Sequence, residues 1–429
     1  MNINEFVNGI SSGSFDEQLR RLYGNSDRTL LRQRARYLSA AENFSKLYPQ
    51  CGDIKVFSAP GRTEVGGNHT DHQHGCVLAA SVGLDVIAIV SFHDEGVIRI
   101  KSEGHPADEV DLGSLVPADS EKGSSASLIR GVAAGFAEMG VKVGGFNAYT
   151  TSDVLTGSGL SSSAAFEVLV GTIIDRHYNN GQAGAVEIAK IGKFAENVYF
   201  GKASGLMDQM VSSVGGFVFI DFNDPESPVI ETVDFDFQST GFAVCITDTK
   251  GSHKDLTPDY SAVSHEMCHV AELLGGKVLR EVDEELFYQK IPELRKSCSD
   301  RELLRASHFF AENRRAVEET NALRSGDTET FFALVNQSGL SSAQLLQNLY
   351  SSRTPEKQEI PLALMLTSRA LSGCGAQRVH GGGFAGTIQA FLPTYMAESY
   401  AAEMDRVFGP GSCNVLYVRP VGGCELTMD

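Results

Sequence analysis

The sequence predicts a protein in which strands and helices mix in both halves of the chain, and three observations carry that expectation. Between Asp53 and Ser102, short β-branched runs alternate with clusters of Gly, His and Asp, the pattern of strands separated by turns. From Ser125 onward, apolar residues recur at helical spacing in stretches that alternate with further strand-like runs. A chain of 429 residues is also long enough for two domains, each with its own core.

Taken in order, the first fifty residues hold LRRLYG and LLRQRARYLSAAENFSKLY, charged stretches that read as a helical extension over residues 1–50, packed on the fold. The runs IKVFSA, CVLAASVG, VIAIVSF and VIRIKS then predict strands. SASLIRGVAAGFAEMG predicts a helix stopped by Gly140, and GGFNAYTTS a strand leading into DVLTGSGLSSSAA at 153–165. Ala164, Ala165, Val168, Leu169 and Ile173 share helical spacing, so this Gly-Ser string joins a strand to a helix. A helix over Ala183 to Tyr199 carries Glu196, and GLMDQM and the strand GGFVFIDF follow. The polar NDPESP at 223–228 predicts a boundary between a domain over 51–225 and a second over 226–429. In the second lie the strand GFAVCITDT, several helices to about 373, a Gly cluster at 381–386, the strand TIQAFL, the helix TYMAESYAAEMDRVF and a closing strand NVLYVRP.

Composition excludes some functions. A net charge of −18 argues against a nucleic-acid or anionic-membrane surface, both of which need concentrated Lys and Arg. An anionic ligand must then be held locally, by a helix N-terminus, a divalent ion or a few placed cations. The eight cysteines are scattered without a CxxC pair and read as reduced thiols. MNINEFVNGI lacks the pattern of a secretory leader, and no apolar run reaches the ~20 residues that span a bilayer. The expectation is a cytoplasmic protein with neither nucleic-acid nor membrane partners.

Three segments carry chemistry. In the Gly-Ser string, Gly157 and Gly159 allow successive N–H groups to turn toward one anion, and the following helix adds the positive end of its dipole. A Ser-capped surface turn has the same composition, so the string alone is not specific. SAPGRTEVGGNHTDHQHG, at 58–75, packs Arg62, Asn68, His69, Asp71, His72 and His74 around four glycines. Such a density of directional polar groups suits a polyhydroxylated ligand; a solvated hairpin or a histidine metal site is the competing reading. His265, Glu266 and His269 spell HEMCH, the helical zinc pattern, with acidic residues at 280–285 as a possible third ligand; a charged, solvated helix face has the same sequence.

The 58–75 segment resembles the galactokinase signature, usually GRVNLIGEHTDYN, and GSGLSSSAAFEV is similar to the ATP-binding motif of that family. RVHGGGFAGTIQAFL at 378–392 resembles the Gly-rich C-terminal motif of the wider GHMP kinase superfamily, and GLMDQM at 205–210 is similar to the family's GIMDQ. The matches keep family order and run from about residue 54 to the C-terminus. The HEMCH stretch aligns with a family helix that has no metal role.

The resemblance implies an α+β, two-domain GHMP kinase fold, with a ribosomal-S5-like N-terminal domain and a ferredoxin-like C-terminal domain closing on a cleft. It implies Asp208 as catalytic base, Arg62 as the cation that orients it and stabilises the transferring phosphoryl group, and Mg2+ held by Ser163 and Glu196. The backbone through Gly157, Ser158, Gly159, Leu160, Ser161, Ser162 and Ser163 would hold the triphosphate, with Ser102 near the nucleotide. Asn68, His69, Asp71, Gly205, Asp208 and Tyr260 would contact the sugar. One of these sugar positions departs, since the family has Glu where this chain has Asn68, and His72 replaces the family's common Tyr. The implied activity is Mg2+-dependent transfer of phosphate from ATP to the anomeric hydroxyl of galactose, giving galactose 1-phosphate and ADP, by a monomer whose partners are a small sugar and ATP. The alternatives are a GHMP kinase acting on N-acetylgalactosamine or a uronic acid, a zinc hydrolase, and a non-catalytic sensor of galactose and ATP.

Overall fold

The computed structural model describes residues 1–154, 160–202, 204–252 and 254–428. The chain opens with helices α1 (Ile3–Ser12), α2 (Asp16–Tyr23) and α3 (Asp27–Leu47). Asn2 and Glu5 close a reciprocal capping box at the start of α1, and Ser26 caps α3, so the orphan N–H groups are satisfied locally.

Next come β1 (Ile54–Gly66), β2 (Cys76–His93), β3 (Val97–Ser102), β4 (Ala107–Asp111), α4 (Ser125–Glu138) and β5 (Gly145–Ser152). They are followed by α5 (Ser162–Tyr178), α6 (Gly184–Phe194), α7 (Met207–Val214), β6 (Phe217–Asp221) and β7 (Val229–Val233). β1 and β2 are longer than their apolar runs suggest. β1 continues through APGRTEVG, and β2 joins CVLAASVG to VIAIVSF. Register shifts at Pro60/Arg62 and Glu64/Gly66 take up the Pro and Gly residues as irregularities in a bent strand. One part of β2 pairs with β6 and the other with β5. Alternate residues then face two cores. Phe57, Ala59, Ala88 and Val90 pack with α4 and α5, whereas Ile54, Val56, Ile87 and Ile89 pack against Phe6, Leu19, Tyr37 and Phe44 of the N-terminal helices.

The second half holds β8 (Phe242–Asp248), α8 (Thr257–Leu273), α9 (Glu284–Leu294), α10 (Asp300–Ser325), α11 (Thr328–Ser341), α12 (Glu359–Leu371), β9 (Ala376–His380), β10 (Thr387–Pro393), α13 (Ala397–Phe408) and β11 (Cys413–Leu416). Its four strands are antiparallel in the order β11-β8-β10-β9, the strand-helix-strand-strand-helix-strand layout of a ferredoxin-like unit. The last strand, β12 (Cys424–Leu426), returns to pair with β1, making eight strands in the first sheet among the described residues. NDPESP is the turn of the β6–β7 hairpin, so both its flanking strands belong to the first sheet, and the chain passes to the second sheet over 234–241. NVLYVRP is strand only as far as Leu416; Arg419 beyond it is wholly buried.

A buried ionic hub ties the N-terminal helices to the sheet. Asp85 on β2 accepts from Arg36 of α3 at 2.6 Å, Tyr23 of α2 at 2.5 Å, Arg419 at 3.0 Å and the Ser58 hydroxyl. Burial pushes the Asp85 carboxyl up, but Arg36, Arg419 and the hydroxyl donors outweigh it and hold the group below the ordinary carboxylate range. Arg36 also reaches Asp153 at 3.3 Å, just ahead of the Gly-Ser string. No helix among the described residues is long and apolar enough to cross a membrane, and their cysteines are all free.

Candidate active site

Arg62 lies on the irregular stretch of β1, where the strand runs against Leu160, two residues before α5. Its N–H donates to the buried Leu160 carbonyl at 3.2 Å. A β-carbon on the neighbouring Gly61 would stand 2.8 Å from that same oxygen, so the approach needs glycine. Ser212 of α7 donates to the Pro60 carbonyl at 2.6 Å and fastens α7 to this part of β1. Asp208, in the first turn of α7, therefore meets Arg62, whose Nε donates to Oδ1 at 2.7 Å. The other oxygen, Oδ2, accepts from the Ser161 hydroxyl, placed by a left-handed backbone at φ 55° immediately before α5.

Burial raises the Asp208 carboxyl, yet the Arg62 charge and hydrogen bond, the Ser161 hydroxyl and the charge of Lys202 together lower it below the ordinary carboxylate range. Asp208 is thus an anion whose side chain keeps 29% of its surface open. That combination suits a proton acceptor.

Beside this pair, Ser163 in the first turn of α5 donates to Glu196 Oε1 at 3.2 Å. Glu196 sits in a π-turn, Ala195–Phe200, that continues α6, a widening common at functional positions. Lys202 Nζ donates to Oε1 at 2.8 Å, and Gln209 Nε2 bridges Glu196 Oε2 and Glu167 Oε2 at 2.9 Å each. Burial and the Glu196 charge push Glu167 up to about 8. A hydroxyl and a carboxylate converging from two helices are hard oxygen donors. They fit a divalent ion of the magnesium type that completes its shell from phosphates and water.

The expected sugar residues divide into two groups. Gly205 is exposed, with open space where a β-carbon would point, and Asp71 keeps 31% of its side chain open in the short turn after β1. The others hold the Gly cluster. His69 Nε2 lies 2.9 Å from the Gly382 carbonyl, and the Tyr260 hydroxyl donates to the Gly383 carbonyl at 2.9 Å. Burial pushes His69 down to about 4, so its ring is neutral. Asn68 is 1% exposed and its amide is spent on protein: Nδ2 donates to Glu64 and Gly381, and Oδ1 accepts from Asn348. Ser102, at the end of β3, accepts from Thr150 at 2.9 Å rather than joining the Arg62–Asp208 group. Ser162 is half-buried at the first position of α5. Gly157, Ser158 and Gly159 lie outside the described residues.

Sequence reasoning missed Lys202, Gln209, Asn348 and the acceptor role of Asp208 toward Ser161. Gln209 lay within GLMDQM, so the motif carried a signal for it; Lys202 and Asn348 had none. In the HEMCH segment, Glu266 is gripped by Arg301 and Arg305, and His269 Nδ1 lies 2.5 Å from Glu302. The Glu266 carboxylate is paired with two guanidinium groups. Among the described residues no three His, Cys, Asp or Glu side chains gather as a metal cluster, at HEMCH or at the 69–74 histidines.

Comparison with known proteins identifies the family. Lactococcus lactis galactokinase, solved in complex with galactose, superposes with a TM-score of 0.73 at 23% identity, covering 90% of this chain and 99% of that one. Methanococcus jannaschii mevalonate kinase superposes at 0.61 with 13% identity, covering 86% and 99%. The fold is that of the GHMP kinases. Residues 127–216 match the GHMP kinases N terminal domain, and residues 42–92 match the galactokinase galactose-binding signature. The galactokinase of Streptomyces coelicolor is 30% identical over 354 residues, 81% of this chain and 87% of that protein. That of Actinobacillus pleuropneumoniae serotype 5b is 30% identical over 364 residues, covering 82% and 89%. At that identity and coverage, the chain belongs to the galactokinase family.

Proposed function

We propose that the protein transfers the γ-phosphoryl group of ATP to the anomeric hydroxyl of galactose, giving galactose 1-phosphate and ADP. The observation that carries this reading is Asp208, held anionic by Arg62 and Ser161 beside the oxygen pair of Ser163 and Glu196. Asp208 accepts the proton of the anomeric hydroxyl as that oxygen bonds to the γ-phosphorus. The bond from phosphorus to the bridging oxygen breaks, and ADP leaves with the electron pair. Arg62 stabilises the negative charge on the transferring group and, through Nε, fixes the carboxylate that takes the proton.

Ser163 and Glu196 would hold Mg2+, which when bound neutralises charge on the β- and γ-phosphates. The backbone from Gly157 to Ser163 would wrap the triphosphate, with the α5 dipole behind it, and Ser102 would lie toward the nucleotide. Asp71 and Gly205 offer the sugar an acceptor and clearance, while His69 and Tyr260 brace the Gly cluster that faces it.

The test is ADP release with ATP, Mg2+ and a panel of galactose, N-acetylgalactosamine and galacturonic acid. Galactose is expected to give the highest kcat/KM. No turnover of galactose, with turnover of another sugar, would move the activity to that sugar.

A further inference from the structure

The signature of this chain, GRTEVGGNHTDHQ, aligns without a gap to the family form GRVNLIGEHTDYN. An amide at the fourth position and a carboxylate at the eighth have changed places: here they are Glu64 and Asn68. The two side chains touch, with Asn68 Nδ2 donating to Glu64 Oε1 at 3.0 Å. An exchange of amide and carboxylate across one hydrogen bond preserves that bond but moves the negative charge from one position to the other.

Both residues are built into protein after the move. Arg378, wholly buried on β9, donates to Glu64 Oε1 at 2.7 Å and to the Val65 carbonyl, so the relocated charge is neutralised. The second hydrogen of the Asn68 amide goes to the Gly381 carbonyl at 2.8 Å, and its oxygen accepts from Asn348 at 3.0 Å. Three of the four bonds an Asn amide can make are thereby used inside the molecule. A nearby departure goes with them. The family form has Ile where this chain has Gly66, and a β-carbon there would meet Glu319 Oε2 at 1.6 Å, so α10 brings a further carboxyl into space that a side chain at 66 would fill. The whole corner around Arg378 has been rebuilt rather than one residue changed.

We infer that Glu64 and Asn68 are an exchanged pair, in which Glu64 is a positioning residue, Asn68 fastens the Gly381 turn, and the sugar hydroxyl that a carboxylate at 68 would hold is not read. This deepens the galactose-kinase reading and rests on it. The substrate class it implies is galactose together with derivatives altered at that one hydroxyl.

The test combines the variants E64N, N68E and E64N/N68E with the 2-, 3-, 4- and 6-deoxygalactoses. The unaltered protein is expected to phosphorylate one deoxy sugar with kcat/KM within a few-fold of galactose. The double variant should disfavour that same sugar by roughly tenfold or more, through KM rather than kcat. Equal rejection of all four deoxy sugars by the unaltered protein, or an unchanged profile in the double variant, overturns the inference. Thermal melting tests the pairing separately. N68E alone sets two carboxylates side by side and E64N alone strands Arg378, so the double variant should melt above both singles. A double variant that melts no higher than the weaker single, or does not fold, overturns the exchange. If the unaltered protein leaves galactose itself untouched, the functional reading falls, and the melting cycle still decides the pairing.

Discussion

Asp85 and Asp208 are both aspartates paired with arginine, and both are held below the ordinary carboxylate range against the effect of burial. They differ in what is left over. Asp85 is fully buried, and its oxygens are shared among two guanidinium groups, a tyrosine and a serine. Asp208 has one arginine and one serine, and part of its side chain remains open. Pairing fixes the charge in both cases, while access decides whether that charge can do chemistry. An Asp–Arg pair read from a sequence is therefore no signature of catalysis until its exposure is known.

Asparagine at each position should separate the two roles. Asp208→Asn removes the proposed proton acceptor, and kcat is expected to fall by about 10²–10⁴-fold with ATP binding retained, as followed by ADP release and nucleotide titration. Asp85→Asn leaves Arg419 buried without a counter-charge and Arg36 with Asp153 alone, and is expected to cost about 3–5 kcal/mol in urea unfolding. The folded fraction should turn over at the normal rate. A normal melting curve for Asp85→Asn would remove the distinction drawn between the two pairs.

The Glu196 carboxylate extends the comparison, because it is as buried as a structural group yet meets Ser163 at the proposed metal position. Glu196→Gln keeps the size and weakens a hard ligand, so the Mg2+ concentration for half-maximal rate should rise by roughly 10–100-fold or more. If Mg2+ titrates both forms alike, Glu196 belongs with Asp85 as a structural acid.

What was legible in the sequence were groups fixed by short segments. Arg62, Ser163 and Asp208 each stand in one motif and Glu196 on a helix read from its spacing, and the structure pairs Arg62 with Asp208 and Ser163 with Glu196. The illegible part was decided by contacts from distant segments. Asn68 reads as a sugar ligand until Glu64, Asn348 and Gly381 are seen to consume its amide. Gly and Pro at 60–67 read as a turn, yet register shifts absorb them into β1. NDPESP reads as a boundary because a hairpin turn and a linker have the same polar composition; only the pairing of β6 with β7 tells them apart. The Asp85 hub gave no local signal at all, since its partners come from α2, α3, β1 and the C-terminal segment.

Acid should separate the two aspartates by observable. A carboxylate with a lowered native pKa contributes stability that is complete above the unfolded value of about 3.9 and is lost as pH falls through the native value. For Asp85 this loss appears as acid unfolding. For Asp208 the same protonation also removes the proposed base, so kcat/KM should hold to below the ordinary carboxylate range and fall only under it.

Ser161→Ala is the smallest step and tests what sets that range. It deletes one hydrogen bond to the anionic form of Asp208 and leaves Arg62 in place. One bond to a charged group is worth about 1.5–3 kcal/mol when fully desolvated. At this partly open site, a few-fold loss in kcat is the expectation, with the acid limb of the pH–rate profile moving upward. A loss in kcat without that movement would mean that Ser161 aims the carboxylate and the charges of Arg62 and Lys202 keep it ionised.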